Sequence, residues 1–427
     1  MSRLGGPAAR RLLVVAASIA VELSGALSGS AQVAGPSSRR AAEPAGSELT
    51  ISIMTMGVGA EVWERFGHNA IVVEDRRRGS SQAYNYGMFS FRQENFLLRF
   101  LQGRMMYWMA GYPTEEEVPR YVALRRSVWQ QELNLTPAQR LALRNYLETN
   151  ARPENRFYRY DYYRDNCSTR VRDAIDHVLG GAFHAQMSAP ASGSYRFHTL
   201  RLNAHNVPLY TGLLVVLGHG ADAPVTRWDE MFLPLKLRGY LREVRVPDGA
   251  GTQVPLVRSE RTLFESEAFP VPEAPPRWGP GFLLAGFFLG GAFTWGGARG
   301  RRSRGARWGL AVGGTMWALA TGIAGVILAG LWAFTDHVVA SHNENVLQAS
   351  LFALALAIAL PLAVQGRPMA LRLARYLAVA VGGLAVLGLL LKALPGFDQV
   401  NGPVLALFVP ANVGLMLGVL SWTREPA

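Results

Sequence analysis

A single thiol raises the first chemical question. Cys167 is the only cysteine among 427 residues, so an intramolecular disulfide is impossible and the residue is a candidate reactive group. It stands in a polar run, Asp165-Asn166-Cys167-Ser168-Thr169-Arg170. Asp165 and Asn166 are capping types, and they predict a helix that starts about at Cys167 and ends before Gly180-Gly181. A thiol at a helix start meets unpaired N–H groups and the positive end of the dipole, which favour a thiolate. The chemistry this suggests is acyl transfer through sulfur, which needs a base for the thiol and a polar group to orient that base. His68 is the favoured base, because it opens a strand in Glu64-Arg65-Phe66-Gly67-His68-Asn69. Asn85 is the favoured orienting residue. Asn166, Tyr163, Arg65 and Arg170 are candidates for binding substrate or an oxyanion. His177 falls in the same helix as Cys167, about 15 Å along its axis at 1.5 Å per residue, and cannot serve it. The competing reading is a buried structural cysteine, the commoner fate of a lone thiol in a globular domain.

The elements that must position these groups are legible in outline. Leu49–Met56 reads as a buried strand, Asn69–Glu74 as a second and Gln82–Gly87 as a third, with a turn over Asp75–Ser81. A turn centred near Arg78 brings His68 and Asn85 close together on neighbouring strands. Asn95–Leu101 has helical spacing. Thr114 with Glu117 reads as a capping box, although Pro119 lies in the helix it would start. Thr136-Pro137-Ala138-Gln139 opens another helix that runs to about Asn150. Ser127–Leu133 and Phe157–Tyr162 read as strands. There is no internal repeat, and 242–276 is Pro-rich and polar, a connector. No His-x-x-x-His, cysteine pair or acidic ladder points to a metal. Gly57-Val58-Gly59 lacks the rest of a dinucleotide fingerprint, so no cofactor is implied. Tyr158, Tyr160, Tyr162 and Tyr163 fit a strand face better than a nucleic-acid platform.

Composition supplies the setting. Hydrophobic residues are 49% and charged residues 17%, against about 25% charged in an average soluble domain. The net charge is +12, but many arginines flank apolar runs, where they set membrane orientation rather than bind nucleic acid. Arg3, Arg10 and Arg11 precede the apolar run Leu12–Val21, and small residues follow at Gly29, Ser30 and Ala31, an export segment that is either cleaved or kept as an anchor. Five later runs, near 280–297, 308–333, 346–365, 374–393 and 403–422, approach the roughly 20 residues that span a bilayer. Arg299, Arg301, Arg302, Arg304 and Arg307 follow the first run, and Arg367, Arg372 and Arg375 follow the third. These loops belong in the cytoplasm, which puts 334–345 outside with the large soluble domain. That outer loop carries Asp336, His337, Asn343 and Asn345, polar groups beside spans that are candidates for function.

At these residues the chain resembles the Lnb-type lipoprotein N-acyltransferases. The matching stretches are Glu64-Arg65-Phe66-Gly67-His68-Asn69-Ala70, Tyr84-Asn85-Tyr86-Gly87-Met88-Phe89, Pro153-Glu154-Asn155-Arg156, Tyr160-Asp161 and Asn166-Cys167-Ser168-Thr169-Arg170-Val171-Arg172-Asp173. Phe232-Leu233-Pro234, Asp336-His337, Asn343 and Asn345 add to it. The resemblance implies a periplasmic α+β domain of circularly permuted papain-like type followed by an all-α bundle of about five transmembrane helices, in the inner membrane of a bacterium. It implies transfer of a fatty acyl chain, from a membrane phospholipid through a Cys167 thioester, to the N-terminal amine of a lipoprotein.

The organisation expected is an export segment at 1–31, a linker at 32–47, a Cys/His domain at 48–241, a connector at 242–279, five spans within 280–422 and a cytoplasmic tail at 423–427. The partners expected are a phospholipid donor and a lipoprotein acceptor, with no nucleic acid, no metal and no cofactor. No motif addresses the oligomeric state. Two other readings use the same sequence: a papain-like peptidase or amidase acting on cell-wall peptides, and a non-enzymatic membrane-anchored binding module with a structural cysteine.

Overall fold

The computed structural model describes residues 43–423. The export segment, most of the linker and all of the tail but Thr423 lie outside the described residues. The first half of the chain builds strands β1 (Leu49–Met56), β2 (His68–Asp75), β3 (Ser80–Met88), β4 (Met106–Pro113), β5 (Val128–Leu133) and β6 (Phe157–Arg159). Helices α1 (Phe96–Gln102), α2 (Thr114–Ala123), α3 (Pro137–Asn150) and α4 (Cys167–Val178) lie between or after them. Five short helices follow: α5 (Ala182–Gln186), α6 (Tyr195–Leu202), α7 (Val207–Val216), α8 (Arg227–Glu230) and α9 (Pro234–Leu241). Strands β7 (Arg245–Pro247), β8 (Gln253–Pro255) and β9 (Val257–Phe264) precede the apolar helices.

One sheet of seven antiparallel strands, in the order β6-β4-β3-β2-β1-β5-β9, organises the domain. Strand alternation sends Ile51 and Ile53 of β1, Ile71 and Val73 of β2 and Tyr84 and Tyr86 of β3 to one face, where they pack with Val171 and Ile175 of α4, Leu143 and Leu147 of α3 and Leu237 of α9. Met54, Met56, Ala70, Val72 and Ala83 point to the other face, which Tyr121 of α2 covers. The hairpin between β2 and β3 closes over Arg76–Gly79, with Asp75 accepting from the N–H groups of Arg77 and Arg78. Its register sets Ala70 opposite Asn85.

Several expectations need correction. The stretch 242–276 is no mere connector, because β9 completes the main sheet alongside β5 and β7 and β8 form a separate hairpin. The strand expected over Phe157–Tyr162 stops at Arg159, since Asp161 and Asp165 bond to each other's backbone and turn the chain toward α4. Thr114 makes no capping box: it is the first helical residue of α2, after an uncapped Pro113, and Glu115, Glu116 and Glu117 meet the dipole instead. The capping box at Thr136 and Gln139 is present.

Helices α10 (Gly279–Gly300), α11 (Arg304–Phe334), α12 (Phe352–Val364), α13 (Pro368–Leu391) and α14 (Gly402–Trp422) make up the C-terminal region, which holds five segments long and apolar enough to cross a membrane. The third segment, Glu344–Val364, starts as a 3-10 turn over Glu344–Leu347 before α12 takes over. Small residues let α10 and α14 touch backbone to backbone: a Cβ at Gly290 would lie 2.2 Å from the Pro410 carbonyl oxygen, and one at Gly297 2.1 Å from that of Gly418.

Candidate active site

Three elements meet at one end of the sheet, where β1 and β3 finish and β2 begins. Gly67, with φ of +86°, turns the chain into β2 so that His68 is its first residue. Gly87, with φ of +84°, lets β3 pass the start of α4, since a Cβ there would sit 3.1 Å from Cys167 Cβ. Asn166 caps α4: its Oδ1 accepts from Ser168 and Thr169 N–H, and its two amide hydrogens go to the Tyr162 and Phe232 carbonyls. Cys167 is therefore the first residue of the helix, as expected, and it is only half-buried.

His68 Nε2 lies 2.9 Å from Asn85 Oδ1. Asn85 Nδ2 donates to the Ala83 carbonyl at 3.3 Å and to Glu117 Oε1 at 3.4 Å. With the amide hydrogens committed there, Oδ1 faces the ring and Nε2 carries the proton that it accepts. Nδ1 is then the basic nitrogen. Burial lowers the His68 pKa to about 4, against the pull of the Asn85 bond and with help from Arg126 and Arg120. Burial raises the Cys167 thiol to about 11, and the backbone N–H groups of Asn69 and Ser168 together with the charge of Arg126 offset only part of that. The thiolate expected from the helix start is thus not the resting form, because desolvation outweighs the dipole. Both groups are therefore neutral at pH 7, and a proton would have to pass from thiol to ring as sulfur attacks rather than before it.

The other sequence candidates have structural partners. Arg65 is buried and donates to the carbonyls of Leu202 and Gly59. Arg170 forks onto Asp165 and lies over the Tyr158 ring. The Tyr163 hydroxyl bonds Thr199 at 2.8 Å, inside a cluster with Tyr195 and Phe232. Asn166 has no amide hydrogen left for an oxyanion. In the outer loop, Asp336 takes Arg104 and Arg159, each at 2.8 Å, and His337 Nε2 donates to the Phe100 carbonyl at 3.0 Å. Asn343 and Asn345 donate to carbonyls of Leu214, Val215 and Val216 at the end of α7. These four hold the loop against the domain and do not join the His68–Asn85 pair. Glu117 was not singled out by sequence reasoning as a site residue. It is buried, touches Asn85 and leaves Oε2 without a partner; burial raises its pKa, against Arg120. Its signal was position, four residues before Tyr121 and so on the inward face of α2. One group of metal-ligand type exists among the described residues, His219, Glu344 and Asp398 with ligand atoms within 4.8 Å of one another, but Lys392 already sits 2.7 Å from Glu344 and supplies the positive charge.

Residues 41–205 match the family model described as the Lnb N-terminal periplasmic domain. Neither a curated protein nor a solved structure matches the chain. The match spans His68, Asn85, Glu117 and Cys167, and five apolar helices follow it. The segment 41–205 is thus similar to the Lnb N-terminal periplasmic domain, and it is followed by five helices long and apolar enough to cross a membrane.

Proposed function

We propose that the protein is a membrane-bound thiol acyltransferase that moves a fatty acyl chain from an outer-leaflet phospholipid to the N-terminal amine of a lipoprotein. The observation that carries the reading is the His68–Asn85 hydrogen bond on strands against which the helix headed by Cys167 packs. A nucleophile at a helix start, with an amide-oriented imidazole on a neighbouring antiparallel strand, is the arrangement of a papain-like site. The order His before Cys supports a circularly permuted version of it. In the first half-reaction His68 Nδ1 takes the thiol proton as sulfur attacks the ester carbonyl. The ester C–O bond breaks, and the lysolipid oxygen leaves with the proton from His68. In the second half-reaction the lipoprotein amine attacks the thioester, gives its proton to His68, and the sulfur departs and is reprotonated. Base assistance of this kind contributes about 10²–10⁴-fold.

The test is mass spectrometry of lipoprotein N-termini, and of Cys167 itself, in cells making the wild-type chain or Cys167→Ser. The substitution should abolish both the N-acylated product and a fatty-acyl adduct on residue 167. Full activity of Cys167→Ser refutes the covalent route. Labelled acyl chains supplied in phospholipid should appear on the acceptor amine; transfer without the label moves the donor to another lipid ester. Cleavage of a muropeptide without any lipid requirement would favour the peptidase reading.

A further inference from the structure

The rim of the site carries apolar surface that the chemistry does not consume. Trp63, in the turn before His68, is 53% exposed, and Phe91, just beyond β3, is 62% exposed. In α1, Leu97 and Leu101 are 69% and 54% exposed. The aromatic members touch in series: ring centroids are 5.6 Å apart for Trp63 and Phe91, 5.2 Å for Phe91 and Phe96, and 6.3 Å for Phe96 and Phe100. Isolated surface apolar residues are ordinary, but a contiguous set beside a reactive site marks an interaction surface.

Two observations identify what covers it. Toward the helices, α1 is tied to the end of α11: the Asp336 N–H donates to the Gln102 carbonyl at 2.9 Å, and His337 to that of Phe100. Asp336 lies two residues past Phe334, which ends α11 and is itself 83% exposed. The patch is therefore continuous with the lipid-facing surface of a membrane-spanning helix, where an apolar helix face lies in the bilayer boundary. Toward the thiol, Phe89 stacks on Tyr107 at 5.1 Å and Tyr107 on Tyr160 at 4.1 Å. Phe89 is two residues beyond Gly87, whose backbone abuts Cys167.

We propose that Trp63, Phe91 and the exposed face of α1 are immersed in the outer-leaflet boundary and admit the donor's acyl chain, which lies along Phe89, Tyr107 and Tyr160 with its ester at Cys167. The immersion stands by itself; the path to sulfur deepens the acyl-transfer reading and rests on it. Immersion is tested with the full chain in vesicles of phosphatidylethanolamine and phosphatidylglycerol, using Cys167→Ser with a nitroxide on Leu97→Cys, Leu101→Cys or, as the aqueous control, Glu154→Cys. Labels at 97 and 101 should collide readily with oxygen and be shielded from a water-soluble nickel chelate, unlike the label at 154. Equal nickel access at all three overturns immersion. The path is tested with Leu97→Glu/Leu101→Glu in the otherwise native chain. Acyl-adduct formation on Cys167 from vesicle lipid should fall about tenfold or more, since charge is costly in hydrocarbon, while alkylation of Cys167 by N-ethylmaleimide stays unchanged. Undiminished adduct formation overturns the path. A native chain that forms no adduct at all overturns the acyl-transfer reading and the path with it, and immersion is then decided by the nitroxide labels alone.

Discussion

At the scale of single residues the site is defined by what burial does to two groups. Burial holds the His68 pKa at about 4, below the ordinary 6.5, so the imidazole stays neutral across the whole neutral range, with Nδ1 unprotonated. The unfolded chain binds the proton more readily, so this residue favours the folded state fully above pH 6.5, and that contribution is lost as pH falls from 6.5 toward 4. If the proposed acyl transfer holds, the rate of Cys167 acylation should stay level down to about pH 5 and fall with a midpoint near 4; a midpoint near 6.5 would mean that the ring is not desolvated in the working protein. In the proposed acyl transfer Glu117 would act only through Asn85, whose amide donates to it at 3.4 Å. Glu117→Gln keeps an acceptor and should leave kcat nearly intact, whereas Glu117→Ala should lower kcat by up to about 10²-fold with little change in KM, the signature of lost alignment. An equal loss in both variants would argue for a role of the charge itself. The His68–Asn85 pairing and the place of Cys167 at a helix start are legible in the sequence, because strand alternation, the turn near Arg78 and the capping residues Asp165 and Asn166 set them. Glu117 stands among three successive glutamates, and only its spacing from Tyr121 marks it as the one that turns inward.

At the scale of elements, the sulfur is placed by a cap. Asn166 spends Oδ1 on the first turn of α4 and Nδ2 on two carbonyls from other segments, so it fixes both the start of the helix and its docking. Asn166→Ala should cost about 1 kcal/mol for the cap and more for the orphaned Phe232 carbonyl, and it should slow acylation of Cys167 without shifting the acid midpoint set by His68. Thermal unfolding together with the pH profile checks both parts; a shifted midpoint would show that the cap tunes the imidazole as well. The bounds of β1, α3 and α4 could be read in advance because hydrophobic period and capping chemistry agree there. The strand β9 could not, because Val257–Phe264 is an edge strand with Arg258, Glu260 and Arg261 along it; charges protect such an edge and make it read as linker. The thiolate expectation failed for a related reason. A helix start is visible in sequence, but the desolvation that opposes it comes from segments far away along the chain.

At the scale of the whole molecule, the question is what holds the soluble domain on the helices, and magnitudes separate two candidates. The ion pairs of Asp336 with Arg104 and Arg159 are exposed on both sides, and such pairs contribute about 0–1 kcal/mol. The amides Asn343, Asn345, Gln399 and Asn401 are each at most 1% exposed. They bond one another and the carbonyls of Leu214, Val215, Val216 and Leu217, where α7 ends. Removing one buried amide leaves carbonyls with neither protein nor water, at about 1–3 kcal/mol. Asn345→Leu should therefore lower the unfolding temperature of the purified protein clearly more than Asp336→Ala does. It should also raise amide hydrogen exchange in α7 and in 217–221 while the central strands keep their protection. If Asp336→Ala proves the more damaging of the two, the domain is held at the headgroup boundary by charge, and the salt dependence of activity should then exceed that of Asn345→Leu.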